Sequence, residues 1–103
     1  MKAKVAVFGI LRFPPDNISD VLPHLKEFVD QTQKHDACIL YEVAEDLTDP
    51  GLLRFSEIWP DRASLEKHLV APHIKPWREQ AKQYGLLERS FDSYDISSTA
   101  ISV

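Results

Sequence analysis

Two hydrophobic periodicities alternate along this chain in an order that leaves few folds open to it. Residues 4 to 13 are rich in Val, Phe, Ile and Leu and stop at Pro14-Pro15, the pattern of a buried strand. Ile18, Val21, Leu22, Leu25, Phe28 and Val29 then recur at helical spacing and make one apolar stripe. Asp16, Asn17, Ser19 and Asp20 all offer N-cap chemistry. Pro23 is tolerated only in a first turn, so regular helix is expected to start near Ser19 or Asp20, or to kink at Pro23, and to run to about Lys34.

A second strand is predicted over residues 37 to 44. A turn with Pro50-Gly51 follows, then a third strand over residues 52 to 59, antiparallel to the second as a hairpin. Asp61 is a good N-cap for a short helix over residues 62 to 70. Ala71-Pro72-His73 breaks it. A further helix is expected from about His73 to Tyr84, with Gly85 at its C′ position. Pro76 argues for a one-turn piece followed by a kink. Residues 86 to 94 read as a fourth strand, and the tail from Ile96 to Val103 as an edge strand or a frayed end.

The order β-α-β-β-α-β is the ferredoxin-like arrangement of an α+β domain: a four-stranded antiparallel sheet with helices on one face. At 103 residues the chain is one domain, with a thin core. Strand three alternates Leu53, Phe55, Glu57 and Trp59 with Leu52, Arg54, Ser56 and Ile58, so both faces carry large apolar groups. Helices cover one face only. The other is expected to meet a twin subunit, giving a homodimer through the sheet, or else the chain's own tail folded back.

Several function classes are disfavoured. Net charge is −4, and the twelve Lys and Arg residues form no stripe, so neither nucleic acid nor an anionic membrane is an expected partner. The apolar run that starts at Val5 ends too soon for a signal peptide, and no stretch nears the roughly 20 apolar residues of a membrane span. The single cysteine, Cys38, forbids an internal disulfide and fits a cytoplasmic protein. With three glycines there is no phosphate loop or dinucleotide fingerprint. No H-x-x-x-H pair lies within one helix and the His68–His73 spacing crosses a break, so no metal site is expected.

The stretch from Cys38 to His73 carries the chemistry. It holds Cys38-Ile39-Leu40-Tyr41-Glu42, Phe55-Ser56-Glu57-Ile58-Trp59, Leu65-Glu66-Lys67-His68-Leu69 and Ala71-Pro72-His73. His68 lies on the apolar stripe of its helix, facing pocket or core, where an imidazole can exchange a proton near neutral pH or bond a backbone carbonyl. Glu57 is the odd member of an apolar row, so it is either paired, with Arg54, Arg62 or Arg89, or raised in pKa. Trp59 and Phe55 share its side of the strand and are core residues or flat walls for an aromatic ligand. Tyr41 and Tyr84 are further pocket candidates. Cys38 reads as a small buried hydrophobe.

Taken in order, these pieces resemble the antibiotic biosynthesis monooxygenase family, with its C-x-x-Y-E strand, E-x-W strand and A-L-x-x-H-L helix followed by S-P-H. The ordered match covers about a third of the chain. Asp36-Ala37 stands where many members have Pro-Gly, Ala71 replaces the Ser, and Trp77 takes the place of an aromatic common in the following helix, beside an unusual Pro76. The resemblance implies oxidation of a quinol or phenol-like aromatic by molecular oxygen without metal, flavin or haem. It casts His68 as proton acceptor, His73 as a second polar contact, and Trp59, Phe55, Glu57, Tyr41 and Trp77 as substrate-binding residues. Haem cleavage, processing of a small signal molecule and non-catalytic ligand binding remain alternatives on the same fold.

Overall fold

The computed structural model describes residues 3–103. Met1 and Lys2, part of the N-terminal stretch read above as no signal peptide, lie outside them. The elements are β1 (Lys4–Arg12), a 3₁₀ turn (Pro15–Asn17), α1 (Ile18–His35), β2 (Leu40–Glu45), β3 (Leu52–Trp59), α2 (Arg62–Leu69), α3 (Ile74–Gln83) and β4 (Glu88–Ile96). The strands form one sheet in the order β2-β3-β1-β4, with every neighbouring pair antiparallel. This is the expected α+β ferredoxin-like fold, with the second helical region divided in two. No helix among the described residues is long and apolar enough to cross a membrane.

Strand register decides which side chains share a face. Val5, Val7, Gly9 and Leu11 of β1 stand opposite Trp59, Glu57, Phe55 and Leu53 of β3, and opposite Asp95, Ser93, Phe91 and Arg89 of β4. Tyr41 and Val43 of β2 join this face through Glu57 and Phe55. The helices pack on it. α1 buries Ile18, Val21, Leu25, Phe28 and Thr32, α2 buries Leu65 and His68, and α3 buries Ile74, Trp77 and Ala81. Leu22, read as part of the α1 stripe, is instead 43% exposed, because it lies at the edge of a stripe narrower than the apolar residues suggest.

One of the two prolines, Pro76, departs from expectation, whereas α1 starts at Ile18, next to the expected Ser19. α1 continues through Pro23, which is exposed, so the one missing N–H faces solvent rather than the core. Pro76 sits third in α3, where the backbone N–H has no partner within the helix, so no separate one-turn piece forms before it. Pro72 and His73 lie in the turn ahead of that helix. The expected caps are present. Asp61 accepts from Ser64 N at 2.8 Å. At the end of α3, Gly85 (φ 85°) donates to Lys82 O at 3.1 Å and Leu86 to Ala81 O at 3.0 Å, a Schellman pair that needs the left-handed residue.

β2 and β4 each begin later than expected, at Leu40 and Glu88, and β4 runs on to Ile96. Residues 97–103 form no strand and are exposed. The sheet face away from the helices carries Ala6, Phe8, Ile10, Leu40, Ile58 and Tyr94, with Phe8 at 56% and Tyr94 at 55% exposure. The tail leaves these two large side chains uncovered.

Candidate functional site

A cavity of about 430 Å³ opens between the helix-covered sheet face and helices α2 and α3. Its sheet wall is Val7, Leu11, Tyr41, Phe55, Glu57 and Phe91, and its helix wall is Phe28, Leu65, His68, Ile74, Trp77 and Ala81. The volume lies in the range of small-molecule sites. One reason for the space is Gly9. A Cβ there would fall 2.1 Å from the Phe91 ring, so the ring from β4 lies across the glycine on β1. Phe91 packs edge-on to Phe55 at 5.1 Å, and the Arg89 guanidinium rests 4.7 Å from its centroid. Arg78, Lys82 and Arg89, all exposed, form a largely cationic rim, with Asp92 beside them.

His68 comes to the cavity from the last turn of α2, and its side chain is 4% exposed. Its Nδ1 lies 2.7 Å from Asp36 Oδ2. His73, the N-cap residue of α3, brings its Nε2 to 2.9 Å from the same oxygen. A carboxylate oxygen accepts only, so each of these nitrogens carries a proton and donates it. The Nε2 of His68 then holds a lone pair, and no hydrogen bond reaches it among the described residues. Burial holds the His68 imidazole below its ordinary pKa, against the pull of the Asp36 carboxylate. Burial thus favours the neutral ring, which packs 4.8 Å from Trp59 and 5.4 Å from Tyr41.

Glu57 is 3% exposed and makes no ion pair among the described residues. Arg54 pairs with Asp46 and Arg62 with Asp95, while Arg89 acts on Glu57 only through its charge. Of the two readings of Glu57, the raised pKa holds. Burial pushes it up to about 7, while the Trp59 Nε1–H, donating to Oε1 at 2.9 Å, favours the charged form. Burial likewise raises the Tyr41 phenol and the Cys38 thiol, which keeps both protonated.

Among the residues singled out from sequence, His68, Phe55, Glu57, Tyr41 and Trp77 line the cavity. Trp59 is fully buried behind Glu57 and His68. His73 lies outside the cavity and lines a smaller groove between α1 and α3, with His24, Glu27 and Gln80. Phe28 and Trp77, stacked at 5.8 Å, separate the two. Tyr84 bonds to His24 at 3.3 Å and does not line the cavity. Sequence reasoning missed Asp36, Phe28, Phe91, Arg78 and Lys82. The helical spacing of Ile74, Trp77, Arg78, Ala81 and Lys82 could have pointed to the last two. Asp36 gave one signal, as a departure from the usual Pro-Gly.

Comparison with known proteins agrees with this fold. The family model for antibiotic biosynthesis monooxygenases matches residues 5–80. A solved structure from Deinococcus radiodurans, named for the same family, is 24% identical and superposes with a TM-score of 0.87, covering 96% of this chain and 97% of that one. Another solved antibiotic biosynthesis monooxygenase is 28% identical, with a TM-score of 0.83 over 91% of this chain and 99% of that one. An uncharacterized protein of Synechocystis is 24% identical over 92% of this chain, which spans 65% of that relative's length. The matched segment takes in His68, His73, Asp36, Glu57 and most of the cavity wall, and the chain belongs to the antibiotic biosynthesis monooxygenase family.

Proposed function

We propose that this chain is a cofactor-independent monooxygenase that oxidises a quinol or phenol-like aromatic with molecular oxygen. The observation that carries this reading is a histidine, His68, held through Nδ1 by Asp36 at the wall of an apolar, aromatic-lined cavity. A phenol is a weak reductant and its anion a strong one. The protein's task is therefore to remove a proton and hold the anion away from water. His68 Nε2 takes the proton, and the Asp36 carboxylate at 2.7 Å stabilises the imidazolium that results. Phe28, Tyr41, Phe55, Trp77 and Phe91 supply flat walls, and the cationic rim favours an anionic substrate.

The electrons come from the substrate. For an anthrone, one ring carbon loses two hydrogens and gains one oxygen atom. The O–O bond breaks, and the second oxygen leaves with those two hydrogens as water. Glu57, with a pKa of about 7, can supply a proton as that bond breaks. Trp59 positions Glu57 and packs against His68 without touching substrate. His73 acts through Asp36. In this reading the protein works in the cytoplasm as a homodimer, in which the apolar sheet face of Phe8, Ile10, Ile58 and Tyr94 meets its twin.

Oxygen uptake by the purified protein with a panel of quinols, naphthols and anthrones tests the proposal. The expected result is uptake above the uncatalysed rate, strongly reduced in His68→Ala. No uptake with any of them, or full uptake by the variant, overturns it.

A further inference from the structure

Asp36, His68 and His73 meet from three helix ends: the close of α1, the last turn of α2 and the start of α3. One ligand-type atom of each residue lies within 4.8 Å of the other two, and Asp36 Oδ2 is in hydrogen-bond contact with both His68 Nδ1 and His73 Nε2. The three side chains are 12%, 4% and 13% exposed, so the cluster is enclosed but reachable. We propose that this cluster is a binding site for a first-row transition-metal ion such as Zn²⁺ or Co²⁺, which acts as an off-switch for the cavity.

Two imidazoles and one carboxylate suit these ions rather than Mg²⁺ or Ca²⁺, which prefer oxygen-only surroundings. In the metal-free state two protons do the bridging, with N···O spacings of 2.7 and 2.9 Å. Bonds of about 2.0–2.2 Å require ligand atoms roughly 3.0–3.5 Å apart. The two N···O spacings open by a few tenths of an ångström to admit the ion. The His73 and Asp36 side chains, at the cluster's exposed side, can supply that movement by rotation. Solvent ligands complete the coordination.

The metal takes the Nδ1 lone pair of His68, so the ring proton moves to Nε2. That atom then donates where the proposed mechanism needs it to accept. The switching part of the inference rests on that mechanism, whereas metal binding itself does not.

Chelator-treated protein is titrated with Zn²⁺ by calorimetry and with Co²⁺ by visible absorption, with no substrate present. One ion per chain is expected, with a Co²⁺ absorption band typical of mixed nitrogen and oxygen ligands. His73→Ala is expected to weaken binding by at least about tenfold, and His73→Gln likewise. Circular dichroism confirms that the variants fold. Absence of binding, or binding unchanged in both folded variants, overturns the site. So does binding lost in His24→Ala but kept in His73→Ala, which would put the ion elsewhere in the outer groove. The second arm measures oxygen uptake with and without Zn²⁺. Inhibition in the wild type that is relieved by chelator and weakened in His73→Ala supports the switch, and undiminished uptake by the metal-loaded protein overturns it. A chain that binds metal but oxidises nothing refutes the mechanism and leaves the site standing.

Discussion

The Nδ1 of His68 and the Oδ2 of Asp36, residues 32 positions apart in the chain, lie 2.7 Å from each other. This contact chooses the tautomer of the histidine at the cavity wall. Replacing Asp36 by Asn keeps the shape but offers an amide that can donate to Nδ1, which pushes the proton to Nε2. Asp36→Asn in chelator-containing buffer is expected to lower kcat by about 10²–10⁴ with little change in KM. Steady-state oxygen uptake checks this, and a variant as fast as the wild type would remove Asp36 from the mechanism.

Glu57 links pH to stability. Its folded pKa of about 7 stands above the usual carboxylate value of 4.5. Between those values the folded state binds more protons than the unfolded one, so stability falls as pH rises. The contribution is fully present below pH 4.5 and lost by the time pH passes 7, a loss on the order of 3 kcal/mol. Glu57→Gln, which cannot ionise, is expected to flatten the pH profile of urea unfolding over this window and to be the more stable form at pH 8. An unchanged profile would mean that Glu57 titrates normally.

Gly9 keeps the cavity open by letting Phe91 lie against the sheet. The Cβ of Gly9→Ala would sit 2.1 Å from that ring, so the ring must rotate away from β1. The cavity is the space available to it. Weaker binding of an aromatic probe, by roughly tenfold, is expected with destabilisation of about 1–3 kcal/mol. Isothermal titration and thermal unfolding read the two effects separately. A variant that binds and melts like the wild type would show that Phe91 has another place to go.

Phe8 and Tyr94 are diagonal neighbours across β1 and β4 on the open sheet face, with ring centroids 6.4 Å apart. A charge placed there would be desolvated in a sheet-to-sheet dimer and costs far less in a monomer, where the position is exposed. Phe8→Glu is therefore expected to shift the chain from dimer to monomer in light scattering at micromolar concentration. A wild-type chain that is already monomeric would refute the dimer outright.

The division between what could be read early and what could not follows the range of the interactions. Element order, the Asp61 cap, the Gly85 stop and the inward row of Leu53, Phe55, Glu57 and Trp59 all rest on contacts within a few residues, or on the two-residue period of a strand. These were legible in the sequence. The helix boundaries near Pro23 and Pro76 were less so, because a proline's cost depends on whether its missing N–H faces solvent or falls in a first turn.

The site divides in the same way. The placement of His68, Phe55, Glu57 and Tyr41 on inward faces followed from periodicity, so the sequence by itself determined most of the wall that the cavity would have. It could not set depth. Trp59 shares the row of Glu57 yet ends behind it, and His73 turns to the outer groove, because α2 and α3 decide what covers each position. Only the tertiary structure brought Asp36 between two histidines, laid Phe91 over Gly9 and gathered Arg78, Lys82 and Arg89 at one mouth. Such contacts join residues far apart in the chain, and hydrophobic patterning carries no information about which polar groups long-range packing will bring together.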